Sequence, residues 1–295
     1  MAQIWERIFK AEKETIEAGA FTIPNPKHPD RKDRNQDASF EDVAHRFFGV
    51  FDGVGGDRPA GDVAAGTARD FIAGRADFLE EDNMTPEEVG AEIVQVFKDA
   101  NKHILGETDR NPALKRMATT AALLKIVDTQ DGKKGVIGHV GDSRAYHWTA
   151  GGELKQITLD DGPLREHFHG EEEARRAQVR LAGDPRTFNR SDLALFGNRN
   201  RITQVLGSLA IEPHIEIVDL APGDYVLLLT DAIFDNLTDV EIEYICRNSE
   251  TPEQMARNLA EAVELRMQEK LQGKASAGMR AKLDDITALA VKVGE

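Results

Sequence analysis

The chain has 295 residues, 40% of them hydrophobic, with 37 basic against 52 acidic side chains and a net charge of −15. That length supports a sizeable core. The acidic excess argues against broad nucleic-acid binding, which needs a positive footprint. No run approaches the roughly 20 apolar residues that span a bilayer, so no membrane association is expected. A lone cysteine, Cys246, cannot form an internal disulfide or a cysteine-rich zinc site. The opening segment MAQIWERIFKAEKETIEAGAF is charged throughout and has no apolar leader core, so the expected location is cytoplasmic.

No repeat or long Pro/Gly/Ser linker divides the chain, and a single domain over 1–295 is expected. The first 20 residues read as an amphipathic helix with Ile4, Ile8, Phe9 and Ile16 on one side. Residues 43–51 read as a buried strand ending at the turn DGVGG, and 62–80 and 86–105 as helices. In the second helix Val89, Ile93, Val96, Phe97, Ala100 and Ile104 follow the i, i+3/i+4, i+7 pattern. Thr85, Pro86 and Glu88 supply an N-cap, a first-turn proline and a capping-box glutamate.

Strands are expected over 118–127, 135–141, 144–149 and 153–158, as successive antiparallel hairpins. Residues 161–200 are polar and poor in strand pattern, and read as an insertion or flap. Strands follow at 213–219 and 224–230, helices near 238–247 and 252–271, and a last strand at 286–293. The order lacks a regular βαβ alternation, so antiparallel sheets covered by helices fit better than a doubly wound sheet.

Several acidic residues share one local setting. Asp37 precedes a strand in RNQDASF, Asp52 ends one in GVFDGVGG, Asp231 ends another in YVLLLTDAIFD, and Asp284 and Asp285 precede the last in LDDITALAV. A single aspartate at a strand end commonly caps its own backbone. Four such ends suggest a shared cation site, because buried carboxylates are costly unless paired or metal-bound. Oxygen-only ligands select Mg²⁺ or Mn²⁺ over zinc. Gly53 leaves the backbone free to turn after Asp52, so that its carbonyl could point at a metal.

These segments, with MATTAALLKI, HVGDSRAY, ITLDDGPL and RNRITQVLGS, occur in an order that resembles the metal-dependent Ser/Thr protein phosphatases of type 2C, in their bacterial form. The resemblance covers about Arg31 to Val293. It implies an α+β fold, a four-layer α-β-β-α sandwich of two antiparallel β-sheets flanked by helix pairs. It also implies hydrolysis of phosphoserine and phosphothreonine in proteins by a water activated between two Mg²⁺ or Mn²⁺ ions, with no phospho-enzyme. Carried over by position, Asp52 bridges both metals, the Gly53 carbonyl joins one, and Asp231 and Asp284 hold the other. Asp37 acts through water, and Asp160 and Asp235 match a third, weaker metal site. Arg31, Lys32 and Arg34 are candidates for binding phosphate, with Arg34 favoured.

The chain departs from the family pattern at four places. Val54 replaces a histidine thought to protonate the leaving group, Ala232 a glycine, Asp285 an asparagine and Asp161 a histidine. If position 232 requires positive φ, alanine there is strained by about 1 kcal/mol or more. Val54, Ala232 and Asp161 keep open a binding or regulatory pseudophosphatase, and a two-metal hydrolase of a small phosphoester or nucleic acid stands as a third class. Ser143, between Asp142 and Arg144, lacks a histidine partner in a motif-like setting and is set aside as a nucleophile.

Overall fold

The computed structural model describes residues 15–27, 35–54, 60–76, 84–275 and 280–294. Among them are two antiparallel sheets. One runs, in spatial order, β1 (Ile16–Ile23), β11 (Ile286–Val293), β10 (Tyr225–Leu229), β7 (Arg144–Trp148) and β8 (Leu154–Gln156). The other runs β2 (Asp37–Asp42), β3 (Phe47–Val54), β5 (Ala121–Thr129), β6 (Gly132–Val140) and β9 (His214–Leu220), with β4 (Ala118–Thr119) paired to the end of β3.

Alternation along the strands builds the layers, because successive side chains point to opposite faces. In β11, Leu289, Val291 and Val293 enter the core between the sheets, while Ile286, Ala288 and Ala290 face outward. That outward face is covered by α6 (Asp231–Asn236), α7 (Asp239–Arg247) and α8 (Pro252–Leu271). The opposite sheet sends Ala122, Leu124 and Ile126 inward from β5. It turns Ala121 and Leu123 toward α1 (Ala60–Ala73) and α2 (Pro86–Arg110). Buried on both faces, β10 reads as an unbroken apolar run and β11 as a largely apolar one interrupted by Thr287 and Lys292. The expected four-layer α-β-β-α sandwich is the architecture found.

Helix α2 forms for the reasons its sequence gives. Thr85 accepts from the Glu88 amide, the Glu88 carboxylate accepts from the Thr85 amide, and Pro86 opens the first turn. Helix α1 buries Ala64, Ala65, Ala68 and Ile72, small enough to bring its backbone against β3. Cys246 is buried in α7, and burial pushes its thiol up to about 12, so it serves as a small apolar side chain.

Several expected boundaries change. Residues 1–14 of the first helix lie outside the described residues, and from Ile16 the chain is strand, not helix. Strand β11 needs a second partner, and β1 pairs along its whole length, from Ile16 opposite Val293 to Ile23 opposite Ile286. Residues 43–46 form the turn of the β2–β3 hairpin rather than the start of β3. Helix α1 ends at Ala73, short of position 80.

The polar stretch 161–200 is helical, with α3 (Pro163–His167), α4 (Glu171–Leu181) and α5 (Arg190–Gly197). In α4, Glu171–Glu173 sit at the positive end of the helix dipole, and Glu171–Arg175 and Glu172–Arg176 pair at i,i+4. Its buried stripe, Ala174, Ala177, Gln178 and Leu181, keeps the helical i, i+3, i+4, i+7 spacing, but it is made of small and polar residues in a strongly charged segment, so composition reads it as loop. Among the described residues no helix is long and apolar enough to cross a membrane.

Leu228 is fully buried between the sheets, whereas Leu209 is 98% exposed. Leu228→Ala is expected to cost about 2–5 kcal/mol in urea unfolding, and Leu209→Ala less than about 0.5 kcal/mol. Similar losses at the two positions would contradict the inter-sheet core.

Candidate metal centre

The acidic residues meet where strand ends from both sheets come together. The β2–β3 register sets Asp37 directly opposite Asp52. Asp231 begins α6 just after β10, and Asp284 leads into β11, the strand beside β10. Two buried threonines tie these ends. The Thr230 hydroxyl accepts from the Thr287 amide at 3.0 Å and donates to Asp37 Oδ2 at 2.8 Å, linking one sheet to the other.

Asp52 is held through its backbone. Its carbonyl accepts from the Thr120 amide and the Thr119 hydroxyl, both at 2.8 Å, and its amide donates to Thr120 Oγ1 at 3.2 Å. The threonines of MATTAALLKI therefore fix where Asp52 points. Gly53 packs against α1 so closely that a β-carbon would lie 2.3 Å from the Gly61 carbonyl, and only glycine fits there.

Lost hydration and mutual repulsion set the electrostatics. Asp37 is pushed well above the usual carboxylate range by burial, then by Asp285 and Asp284. Burial also raises Asp52, with Asp231, Asp37 and Asp284 adding to it and Lys282 opposing. Asp231 is pushed up to about 7 by burial, which Lys282 counters and Asp284 and Asp235 reinforce. Burial and the charges of Asp231 and Asp160 raise Asp142 as well. Such clustering favours protonation or bound cations.

Lys282 supplies one positive charge to this cluster. Its ammonium pairs with Asp231, lies 2.9 Å from Asp284 Oδ2, and stands 3.7 Å from Asp235 Oδ2. Among the described residues, no three acidic, histidine or cysteine side chains stand ready to close on a metal. The donors nevertheless fit a hard divalent cation. One carboxylate oxygen of Asp231 and one of Asp142 are buried with no hydrogen-bond partner among the described residues. All the donors are oxygens.

The other expected site residues fall out differently. Asp160 is gripped by Arg144 through two bonds of 2.9 and 2.7 Å, and accepts from Gln178 of α4 at 2.7 Å. Asp235 accepts from Arg199 Nε at 2.6 Å. Both stand near the centre but are engaged by arginines. Arg31, Lys32 and Arg34 lie outside the described residues. Val54 ends β3 opposite Ala118 and brings no proton donor.

Ala232 lies inside α6 and is absent from the positive-φ residues, so alanine is unstrained there. Asp285 is buried, and its two oxygens accept from the amides of Asn25 and Gln36, clamping those segments to the entry of β11. Asp161 accepts from the Gly141 amide at 2.8 Å and pairs with His214 at 3.0 Å, which anchors the turn carrying Asp142. Lys282 and Asp142 were not found as site residues by sequence reasoning. The only local signals were a lysine two residues before Asp284 and an aspartate after the Gly141 turn, where φ is 99°.

Known proteins share this sequence pattern and this fold. The family described as Protein phosphatase 2C matches residues 26–274. A probable protein phosphatase 2C 11 of Arabidopsis thaliana is 26% identical over 216 residues, covering 73% of this chain and 53% of its own. The serine/threonine protein phosphatase PstP of Mycobacterium tuberculosis is 25% identical over 208 residues, covering 70% of this chain and 35% of its own. The chain thus spans about half or less of the length of these relatives. Among solved structures, Stp1 of Staphylococcus aureus superposes with a TM-score of 0.70 at 23% identity, over 95% of this chain and 96% of that one. The catalytic domain of PstP, solved in complex with two manganese ions, gives 0.68 at 21% identity, over 96% and 100%.

Acid titration tests the burial of His139, which lies beside the Asp161–His214 pair. His139 is fully buried, neither ring nitrogen has a partner among the described residues, and burial lowers it to about 3 from 6.5. Between those two pH values the unfolded chain binds the proton and the folded chain does not, so folding stability falls as pH drops, by at most about 5 kcal/mol from this group. His139→Leu is expected to flatten that acid loss in urea unfolding from pH 7 to 4. Parallel curves for the two proteins would contradict it.

Proposed function

Because this chain belongs to the protein phosphatase 2C family, we propose that it hydrolyses phosphoserine and phosphothreonine in proteins, using two divalent cations held by its strand-end carboxylates. The observation that carries this reading is the convergence of Asp37, Asp52 and Asp231 at one junction, with their carboxyls pushed upward by burial and by neighbouring carboxylates, among them Asp284, which acts on all three. Residues in that state are relieved by bound cations.

In this reading Asp52, the Gly53 carbonyl, Asp231 and Asp284 would hold the two ions. Asp37 orients water from behind. When bound, Mg²⁺ or Mn²⁺ supplies charge neutralisation and an acidified water for in-line attack on phosphorus. The chain's part is to hold its donors still. Thr119 and Thr120 lock the Asp52 backbone, and Thr230 fixes Asp37. Arg34, with Arg31 and Lys32 as alternatives, is the proposed phosphate ligand. With Val54 apolar, the leaving group takes its proton from water.

A third cation at Asp160 and Asp235 would have to displace Arg144 and Arg199. The buried Asp142 oxygen without a partner among the described residues is the better donor for it. A net charge of −15 disfavours nucleic acid as the substrate. The pseudophosphatase reading loses support from Ala232, which the helical backbone accommodates.

Hydrolysis of p-nitrophenyl phosphate and of a phosphothreonine peptide, with Mn²⁺, Mg²⁺ or EDTA, tests the proposal. Turnover of both is expected with metal and none with EDTA. Asp52→Asn should lower turnover at least about a hundredfold while the protein stays folded. Turnover that survives EDTA, or near-normal activity of Asp52→Asn, would overturn it. Turnover of the small ester alone would favour a small-molecule hydrolase.

A further inference from the structure

Lys282 is placed as deliberately as the carboxylates it meets. Its amide donates to Asn236 Oδ1 at 2.9 Å, and its carbonyl accepts from Asn236 Nδ2 at 3.0 Å. Asn236 is fully buried at the end of α6, the helix that carries Asp231 and Asp235. The root of the lysine is therefore fixed to the same helix as two of the carboxylates its ammonium reaches. The third, Asp284, follows two residues later in the chain. Among the described residues no other cation pairs with Asp231 or Asp284.

One ammonium cannot satisfy this cluster. It carries a single charge against three carboxylates, and it leaves one buried oxygen of Asp231 without a partner among the described residues. An ammonium and a divalent cation would draw on the same oxygens, and like charges do not share such a seat. The four-carbon stem lets the ammonium leave while its backbone stays clamped.

We propose that Lys282 is a tethered internal cation that neutralises the Asp231–Asp284 seat in the metal-free protein and is displaced when a divalent ion binds there. The proposal rests on the reading of these carboxylates as metal ligands. It makes metal binding a displacement, so the apparent affinity is lowered by the fraction of molecules in which the lysine is seated. It also gives the metal-free fold a counter-charge, so that the centre can be assembled before metal arrives.

Calorimetric titration of Mn²⁺ into the wild-type chain and Lys282→Met, with melting of both in EDTA, tests this. The variant is expected to bind Mn²⁺ at least about tenfold more tightly and to melt at lower temperature without metal. Equal or weaker Mn²⁺ binding by the variant would overturn the lysine's role and leave the metal reading standing. Absence of binding to either protein would overturn both.

A second measurement uses the wild-type chain alone. Lys282 should resist reductive methylation by formaldehyde and cyanoborohydride in EDTA and react once Mg²⁺ is added, as read by peptide mass spectrometry. The same labelling with and without Mg²⁺ would overturn the displacement even if Lys282→Met failed to fold.

Discussion

Carboxylates crowded together away from water are the constraint on which the rest of this structure depends. Where two sheets meet, Asp52 is repelled by Asp231 and Asp37, Asp37 by Asp285 and Asp284, and Asp231 by Asp284 and Asp235, and each loses hydration as well. Left alone, such a cluster would drive the strand ends apart or take up protons. The surrounding fold resists mainly by fixing backbones, and among the described residues Lys282 is the one cation that pairs with Asp231 and Asp284. Threonines 119 and 120 hold Asp52, Thr230 and Thr287 join the two sheets behind Asp37, and Asp285 pins the segments around Asn25 and Gln36. What remains to be supplied is positive charge.

That need explains how the helical 161–200 segment is connected. Arg144 grips Asp160, which also accepts from Gln178 on α4, and stacks over Phe234 with its guanidinium carbon 3.7 Å from the ring centroid. Arg199, just beyond α5, reaches Asp235. Buried Arg280 donates to the carbonyls of Phe234 and Gly183, joining α6 to the turn that follows α4 in the same segment. The segment is tied to the centre through its acids, so its position and the charge balance of the site are linked.

Antiparallel sheets covered by helices, and the main acids, were legible in the sequence because both are written locally, whereas the four-layer order was legible only through the family resemblance. An aspartate at the end of an apolar strand marks Asp52 and Asp231 without tertiary information, and the i, i+3/i+4 pattern with its capping box marks α2. What could not be read depends on distant partners. Strand β1 is made a strand by pairing with β11, some 270 residues away, and Ile16 by itself also suits a helix. Helix α4 is stabilised by surface ion pairs and a narrow buried face, which composition alone reads as loop. Asp160 and Asp235 stand near the centre, and their arginine partners come from outside their own motifs. Lys282 carries no motif, and its part is visible only once Asn236 fixes its backbone.

If cation binding relieves a centre under electrostatic strain, removing one acid should have opposite effects with and without metal. The direct measurement is the melting temperature of the wild-type chain and Asp52→Asn, each in EDTA and in saturating Mn²⁺. The account predicts that Asp52→Asn melts higher than wild type in EDTA, because one buried charge is gone, and gains little from Mn²⁺. A variant that melts lower in EDTA and keeps the full Mn²⁺ stabilisation would contradict it.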